Sequence, residues 1–138
     1  MISKVFVDTN VFVATRDFND TTHKKALELT GFLAENKVAW YTSSEIVGET
    51  LTVLSQKLGK EIAIDWCKDF IKSGIKVLFI DEIIYKDSQN YFIKTKQKNI
   101  SFIDCSCVVT MKKNKIDTIF SFDKDFKKMG VKLLEDVV

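Results

Sequence analysis

The chain has 138 residues, 46% of them apolar and 29% charged, with a net charge of +2. That is enough for one soluble domain with a buried core, and the charge is too small to announce a nucleic-acid binder. No apolar run approaches the ~20 residues of a membrane span, and MISKVFVDTN lacks the long apolar stretch and cleavage site of a secretory signal, so a cytoplasmic address is expected.

In chain order, KVFVD predicts a first strand that ends at Asp8. NDTTHKKALELTGFLAENK predicts a helix capped by Asp20 or Thr21, with Ala26, Leu29 and Leu33 on one face. VAWYT predicts a second strand. TSSE, from Thr42 to Glu45, has the spacing of a capping box and opens a helix through EIVGETLTVLSQKL. KEIAIDWCKDFIKSG predicts another helix, stopped near Gly74. KVLFI follows as a third strand, then a helix over DEIIYKDSQNYFIKTKQ with Asp81 and Glu82 in its first turn. SFIDCSCVVTMKKN predicts a helix, DTIFS a fourth strand, DKDFKKM a short helix and VKLL a last strand.

No proline, linker, repeat or low-complexity tract interrupts this series, which predicts a single domain over residues 1–138. Strands alternating with helices require crossover connections. The expected fold is a three-layer α/β/α sandwich with a mostly parallel central sheet of about five strands. In such sheets ligands bind outside the carboxyl ends of the strands, where strand order reverses. Asp8 ends the first strand and Asp123 follows the fourth, so both are expected there.

Four carboxylates stand out: Asp8, Glu49, Asp104 and Asp123, with Glu45 and Asp125 in reserve. Grouped carboxylates repel one another unless a proton or cation compensates. Mg²⁺ and Mn²⁺ prefer oxygen ligands and can activate water for phosphodiester cleavage. Each acid also has a structural reading. Asp8 can cap the helix that follows it, Asp104 stands three residues after Ser101 in a capping-box spacing, and Asp123 can cap the KDFKKM turn. Glu49 lies about half a turn from the Val47–Leu51–Leu54–Leu58 stripe, which places it on a polar face with Thr52 and Gln56. Glu45 reads as the acid of the capping box.

The remaining reactive residues read as structural. Cys67, Cys105 and Cys107 form no C-x-x-C pair and are expected to be buried reduced thiols. His23, the single histidine, belongs to no acidic motif and reads as a partly buried or capping residue. Arg16, the single arginine, reads as an exposed loop cation beside Asp17. Residues 1–93 carry a net charge of −2 and residues 94–138 carry +4. Lysines 94, 96, 98, 112, 113, 115, 124, 127, 128 and 132 could therefore line a phosphate-facing rim, or form a solvated surface.

Taken in order, FVDTN, SSEIVGETLTVL, ISFIDCSCVV and IFSFDKDF resemble the PIN-domain family, and particularly its VapC-like toxins, over nearly the whole chain. The resemblance implies a parallel α/β/α sandwich and metal-dependent ribonuclease activity. It implies that Asp8, Glu49, Asp104 and Asp123 hold Mg²⁺ or Mn²⁺. Thr9, Asn10 and Ser121 match the polar residues beside the first and last acids, and Asp125 offers a second acid in the last motif. A cognate antitoxin, a homodimer and an RNA substrate are implied in the same way, and single-stranded or looped RNA is expected because its exposed phosphates can reach a recessed carboxylate site.

Three rival readings remain. A phospho-receiver domain would use Asp81 as acceptor but wants an acidic pair after the first strand and a lysine after the last. A haloacid-dehalogenase type of phosphohydrolase wants an aspartate where Asn10 stands. A PIN-like module that binds RNA or protein without cutting is argued against by the retention of all four acids.

Overall fold

The structure is a computed structural model that describes residues 2–138. Five strands form one sheet: β1 (Lys4–Val7), β2 (Ala39–Ser43), β3 (Lys76–Leu78), β4 (Thr118–Phe120) and β5 (Lys132–Leu133). Their order is β3-β2-β1-β4-β5, and every pairing is parallel. From β1 the chain moves outward through β2 to β3, then returns to the other side of β1 with β4. The order therefore reverses between β1 and β4, where the backbone N–H of Asp8 donates to the Phe120 carbonyl at 3.0 Å.

Helices α1 (Thr9–Arg16), α2 (His23–Glu35), α3 (Ser44–Lys57) and α4 (Lys60–Lys72) pack on one another, while α5 (Glu82–Lys94) pairs with α6 (Phe102–Lys113). Right-handed crossovers in opposite directions put these two sets on opposite faces of the sheet. The central strands β1 and β4 are buried runs, as a sheet covered on both faces demands: Val5, Phe6, Val7, Ile119 and Phe120 are fully inaccessible, whereas the outer strands β2, β3 and β5 are only partly buried. Phe12 meets Trp66 and Phe70 edge-on at 5.2 and 5.8 Å, which fixes α1 against α4. A 3₁₀ turn over Lys124–Met129 and a short helix α7 (Leu134–Val137) complete the chain.

Several local expectations need correction. No capping box forms at TSSE: the N-cap of α3 is Ser43, one residue later than expected, accepting from the Ile46 N–H at 3.2 Å, and the third helical residue is Ile46, which has no acid to return the bond. Thr42 is still inside the sheet, where its hydroxyl donates to the Val7 carbonyl at 2.8 Å. α2 starts after Thr22, and Asp20 instead takes the Thr22 N–H and hydroxyl in the turn before it. Asp81 is the N-cap of α5 rather than part of its first turn. Arg16 ends α1 and pairs with Asp69 of α4 at 2.8 Å, not with Asp17. Gly74 does follow α4 with a φ of +79°, a backbone that favours glycine.

Candidate active site

Asp8 sits where β1 gives way to α1. Its carboxylate caps that helix, Oδ1 accepting the Thr9 N–H at 2.9 Å, while Oδ2 accepts the Ser121 hydroxyl at 2.8 Å. Capping and functional readings of this residue are thus compatible. Ser121 just beyond β4 is a hub: its oxygen also accepts from Asn10 Nδ2 and from the Asp123 N–H, each at 3.1 Å. Asn10 Oδ1 in turn accepts the Phe122 N–H at 3.2 Å. The first and last acidic motifs, more than a hundred residues apart, are one hydrogen-bonded unit.

Glu49 reaches the same place from α3, its Oε1 accepting the Thr9 hydroxyl. The fully buried residues of α3 are Ile46, Thr50 and Leu54; of the expected stripe Leu54 is among them, and Val47, Leu51 and Leu58 pack half-buried against the core. Because α1 packs across the first half of α3, Glu49 is half-buried although Thr52 and Gln56 on its side of the helix are exposed. Asp104 comes from the opposite layer. Ser101 and Asp104 form the expected capping box, Asp104 Oδ2 accepting the Ser101 N–H and Ser101 Oγ the Asp104 N–H, both at 3.1 Å. Asp123 caps the 3₁₀ turn through the Asp125 N–H at 2.9 Å.

A cleft of about 260 Å³ opens over these groups, lined by Asp8, Thr9, Asn10, Glu49 and Asp104. Burial pushes the Asp8 carboxyl up to about 7; the Ser121 and Thr9 hydrogen bonds oppose the rise, and the charges of Asp104 and Glu49 add to it. Burial also raises Asp104, opposed by its bonds to Ser101 and reinforced by Asp123 and Glu49. Glu49 thus acts on both Asp8 and Asp104, Asp104 on Asp8 and Asp123 on Asp104, across both layers, although Asp123 is not among the residues lining the cleft. Asp125 does not join them: it faces Lys128 at 3.5 Å and lines a separate cleft.

Other residues line the cleft that the sequence reading did not single out. These are Val13, Val53 and Lys57, together with Asp20, which the sequence reading considered only as a helix cap. Glu49, Val53 and Lys57 recur every four residues on α3, a spacing that could have revealed Lys57 once Glu49 was placed. Glu45 is not a capping acid. It is close enough to raise the Cys107 thiol together with Asp8, Asp104 and Glu49, though burial is the main cause there, and its Oε1 is buried without a hydrogen-bond partner.

The residues expected to be structural are so placed. Cys105 and Cys107 are buried and Cys67 is half-buried, all as free thiols. The His23 Nδ1–H donates to the Ala14 carbonyl at 2.6 Å and its ring meets Phe18 edge-on, outside the cleft lining. Asp81 is spent on its helix cap at the far side of the sheet. The lysines of residues 94–138 do not form one rim. Lys96, Lys98 and Lys128 line one cleft, whereas Lys112, Lys115 and Lys132 line a cavity at the opposite end of the sheet.

An all-parallel sheet with carboxylates gathered at its reversal point defines the class. The PIN domain family model matches residues 5–132, and the chain belongs to that family. Among curated relatives, it is 25% identical over 126 residues to the 23S rRNA-specific endonuclease VapC20 of Mycobacterium tuberculosis strains CDC 1551 and H37Rv, covering 91% of this chain and 94% of the relative. The crystal structure of M. tuberculosis VapC20, titled a sarcin-ricin loop cleaving toxin, superposes with a TM-score of 0.82 at 23% identity, covering 92% of this chain and 95% of that one. VapBC2 of Rickettsia felis bound to a promoter DNA fragment gives 0.69 at 19% identity, over 94% and 96% of the two chains. FitAcB of Neisseria gonorrhoeae gives 0.67 at 21%, over 94% and 95%.

Proposed function

We propose that this chain is a metal-dependent endoribonuclease that hydrolyses RNA phosphodiester bonds and serves as the toxin of a toxin–antitoxin pair. One observation carries the reading: Asp8, a buried carboxylate at the strand-order reversal, shares one cleft with Glu49 and Asp104, and among the described residues no lysine or arginine pairs with it. Family membership and the curated endonuclease relatives support it. The likeness to VapBC2 and FitAcB supports a cognate antitoxin as partner. The proposal treats residues 1–138 as one nuclease domain, acting as a homodimer in the cytoplasm; no described helix is long and apolar enough to cross a membrane.

The donor set suits Mg²⁺ or Mn²⁺, being oxygen only and deficient in positive charge. Asp8, Glu49, Asp104 and Asp123 would hold the ion. Among the described residues no three His, Cys, Asp or Glu side chains stand close enough to grip one ion as arranged. When bound, the ion supplies Lewis acidity and neutralises charge at the scissile phosphate. The chain's own polar groups do the positioning. Ser121 and the Thr9 N–H favour the ionised form of Asp8, and the Thr9 hydroxyl fixes Glu49. Asn10 ties the β4–turn segment to α1, so the first and last acids keep their separation. His23 is engaged elsewhere and does not act as base. The relatives' names, which specify ribosomal RNA, favour a looped RNA as substrate, since splayed phosphates can enter a recessed site.

The test is incubation with a panel of looped and unstructured RNAs in Mg²⁺, Mn²⁺ or EDTA, with Asp8→Asn protein beside wild type. Cutting that needs the metal and is lost in the variant is expected. Equal behaviour of the two proteins across the panel would contradict the reading.

A further inference from the structure

A second cleft, of about 260 Å³, lies beside the acidic one and is lined by Lys96, Lys98, Ile100, Asp125 and Lys128 among others. We propose that it is a phosphate-binding subsite that grips the RNA backbone next to the scissile bond; the proposal rests on the nuclease reading and deepens it.

Two walls make the cleft, and each ends in one of the acids. One wall is the segment from Lys96 to Ile100. It is fixed at one end by the Gln97 N–H on the Thr95 hydroxyl and at the other by Ile100, only 6% exposed in the core, so its two lysines are displayed outward. The next residue is Ser101, whose N–H holds Asp104. The other wall is the 3₁₀ turn carrying Asp125 and Lys128, which begins at its cap, Asp123. Asp125 is two residues from Asp123, a reach of at most about 7 Å. The Asp123 N–H donates to Ser121 Oγ, which donates to Asp8, and Asp8 lines one cleft with Asp104, so the bases of the two walls converge on the acidic centre.

The charge fits a polyanion. Among the described residues Lys96 and Lys98 have no carboxylate partner, unlike Lys113, Lys127 and Lys132, which pair with Asp87, Asp136 and Asp117. Lys128 is held by Asp125 at 3.5 Å, with side chains 61% and 34% exposed. Such an exposed pair is weak, and Lys128 can exchange it for a phosphate. Three lysines against one aspartate leave the cleft positive, directly beside a cluster that is strongly negative. A strand lying across both would place one phosphate on the lysines and its neighbour over the carboxylates. Lysines on this wall also offset the repulsion between an incoming phosphate and the acids.

Binding of a fluorescein-labelled, mixed-sequence single-stranded RNA by Asp8→Asn protein in EDTA, across a salt series, tests the subsite without cleavage. Lys96→Glu/Lys98→Glu on that background is compared with Lys68→Glu/Lys72→Glu, a charge-matched pair on the exposed surface of α4. The first pair is expected to weaken binding about tenfold or more and to flatten the salt slope by about 1.4. The second should leave both nearly unchanged. In wild-type background, the first pair should raise KM for any RNA that is cut while leaving kcat at saturating RNA. Equal losses from both pairs, no loss from the first, or no RNA binding at all would overturn the subsite. Salt-dependent, pair-specific binding by a protein that cuts no RNA would uphold the subsite and strike the nuclease reading instead.

Discussion

The two ends of the sheet differ in a way that cavity size does not anticipate. At the amino ends of β1 and β4 lies the larger cavity, about 770 Å³, lined by Lys4, Lys112, Lys115, Lys132 and a single acid, Asp117. At the carboxyl ends lies a cleft a third as large that gathers Asp8 from the β1–α1 junction, Glu49 from α3 and Asp104 from α6, and so from both layers. Side chains at the amino ends find ordinary surface partners, such as Tyr41 beside Lys4 and Asp117 beside Lys132. Those at the carboxyl ends are held by buried hydrogen bonds across the β1–β4 reversal. The position in the topology, not the volume, marks where chemistry is built.

The largest effect should come from the acids. Asp104→Asn is expected to lower RNA cutting at least about a hundredfold, while Lys112→Glu/Lys115→Glu at the opposite end changes it by about twofold or less, measured on one RNA in Mn²⁺. Comparable losses at both ends would erase the contrast.

A second test uses pH without metal. Folded Asp8 keeps its proton up to about pH 7, whereas an unfolded aspartate releases it near 3.8. Between those values the native state binds more protons, so stability falls as pH rises through the window. The full cost above pH 7 is on the order of 4 kcal/mol. Asp8→Asn should remove most of this fall in urea unfolding curves taken from pH 4 to 8.5. A wild-type curve that is flat or rising over that range would show that Asp8 carries no such cost. Ser121→Ala sharpens the same point: it removes a bond to ionised Asp8, so the fall should shift to higher pH, with a loss of about 1–2 kcal/mol where Asp8 is charged.

Smaller still, Ser101→Ala breaks the cap that orients Asp104 and should cost about 1 kcal/mol in the same unfolding assay while reducing cutting. Lys115→Gly is its counterpart at the amino end. Lys115 holds a φ of +55°, which glycine adopts without strain, so stability should rise by up to about 1 kcal/mol with cutting unchanged.

What the sequence disclosed follows the same division. As helix or turn caps Asp8, Asp104 and Asp123 were legible from short-range signals, but only the order of the acidic motifs, matched to the PIN-domain pattern, grouped them into one candidate site. Alternation of apolar runs and helical patterns sufficed for the parallel sandwich. Glu49 was harder: its helix read alone puts it on a polar face, and only the packing of α1 on α3 buries it. The shifted cap at Ser43 has a similar origin, since Thr42 is claimed by a cross-strand bond to Val7 that no local pattern announces. Lys57, the partner of Arg16 and the separation of the lysines into two clefts all depend on contacts between elements distant in sequence.

The central claim is that the carboxyl-end acids form a cation site completed by Asp8. Thermal unfolding with and without Mn²⁺, at pH 8 and at pH 5.5, for wild type and Asp8→Asn, tests it most directly. At about a hundred times its dissociation constant, a bound ion should add about 2.7 kcal/mol, several degrees in Tm for a chain of this size. The shift should be large for wild type at pH 8, small at pH 5.5 where Asp8 is protonated, and nearly absent in the variant. A shift of equal size in both proteins, or none in wild type at pH 8, would contradict the account.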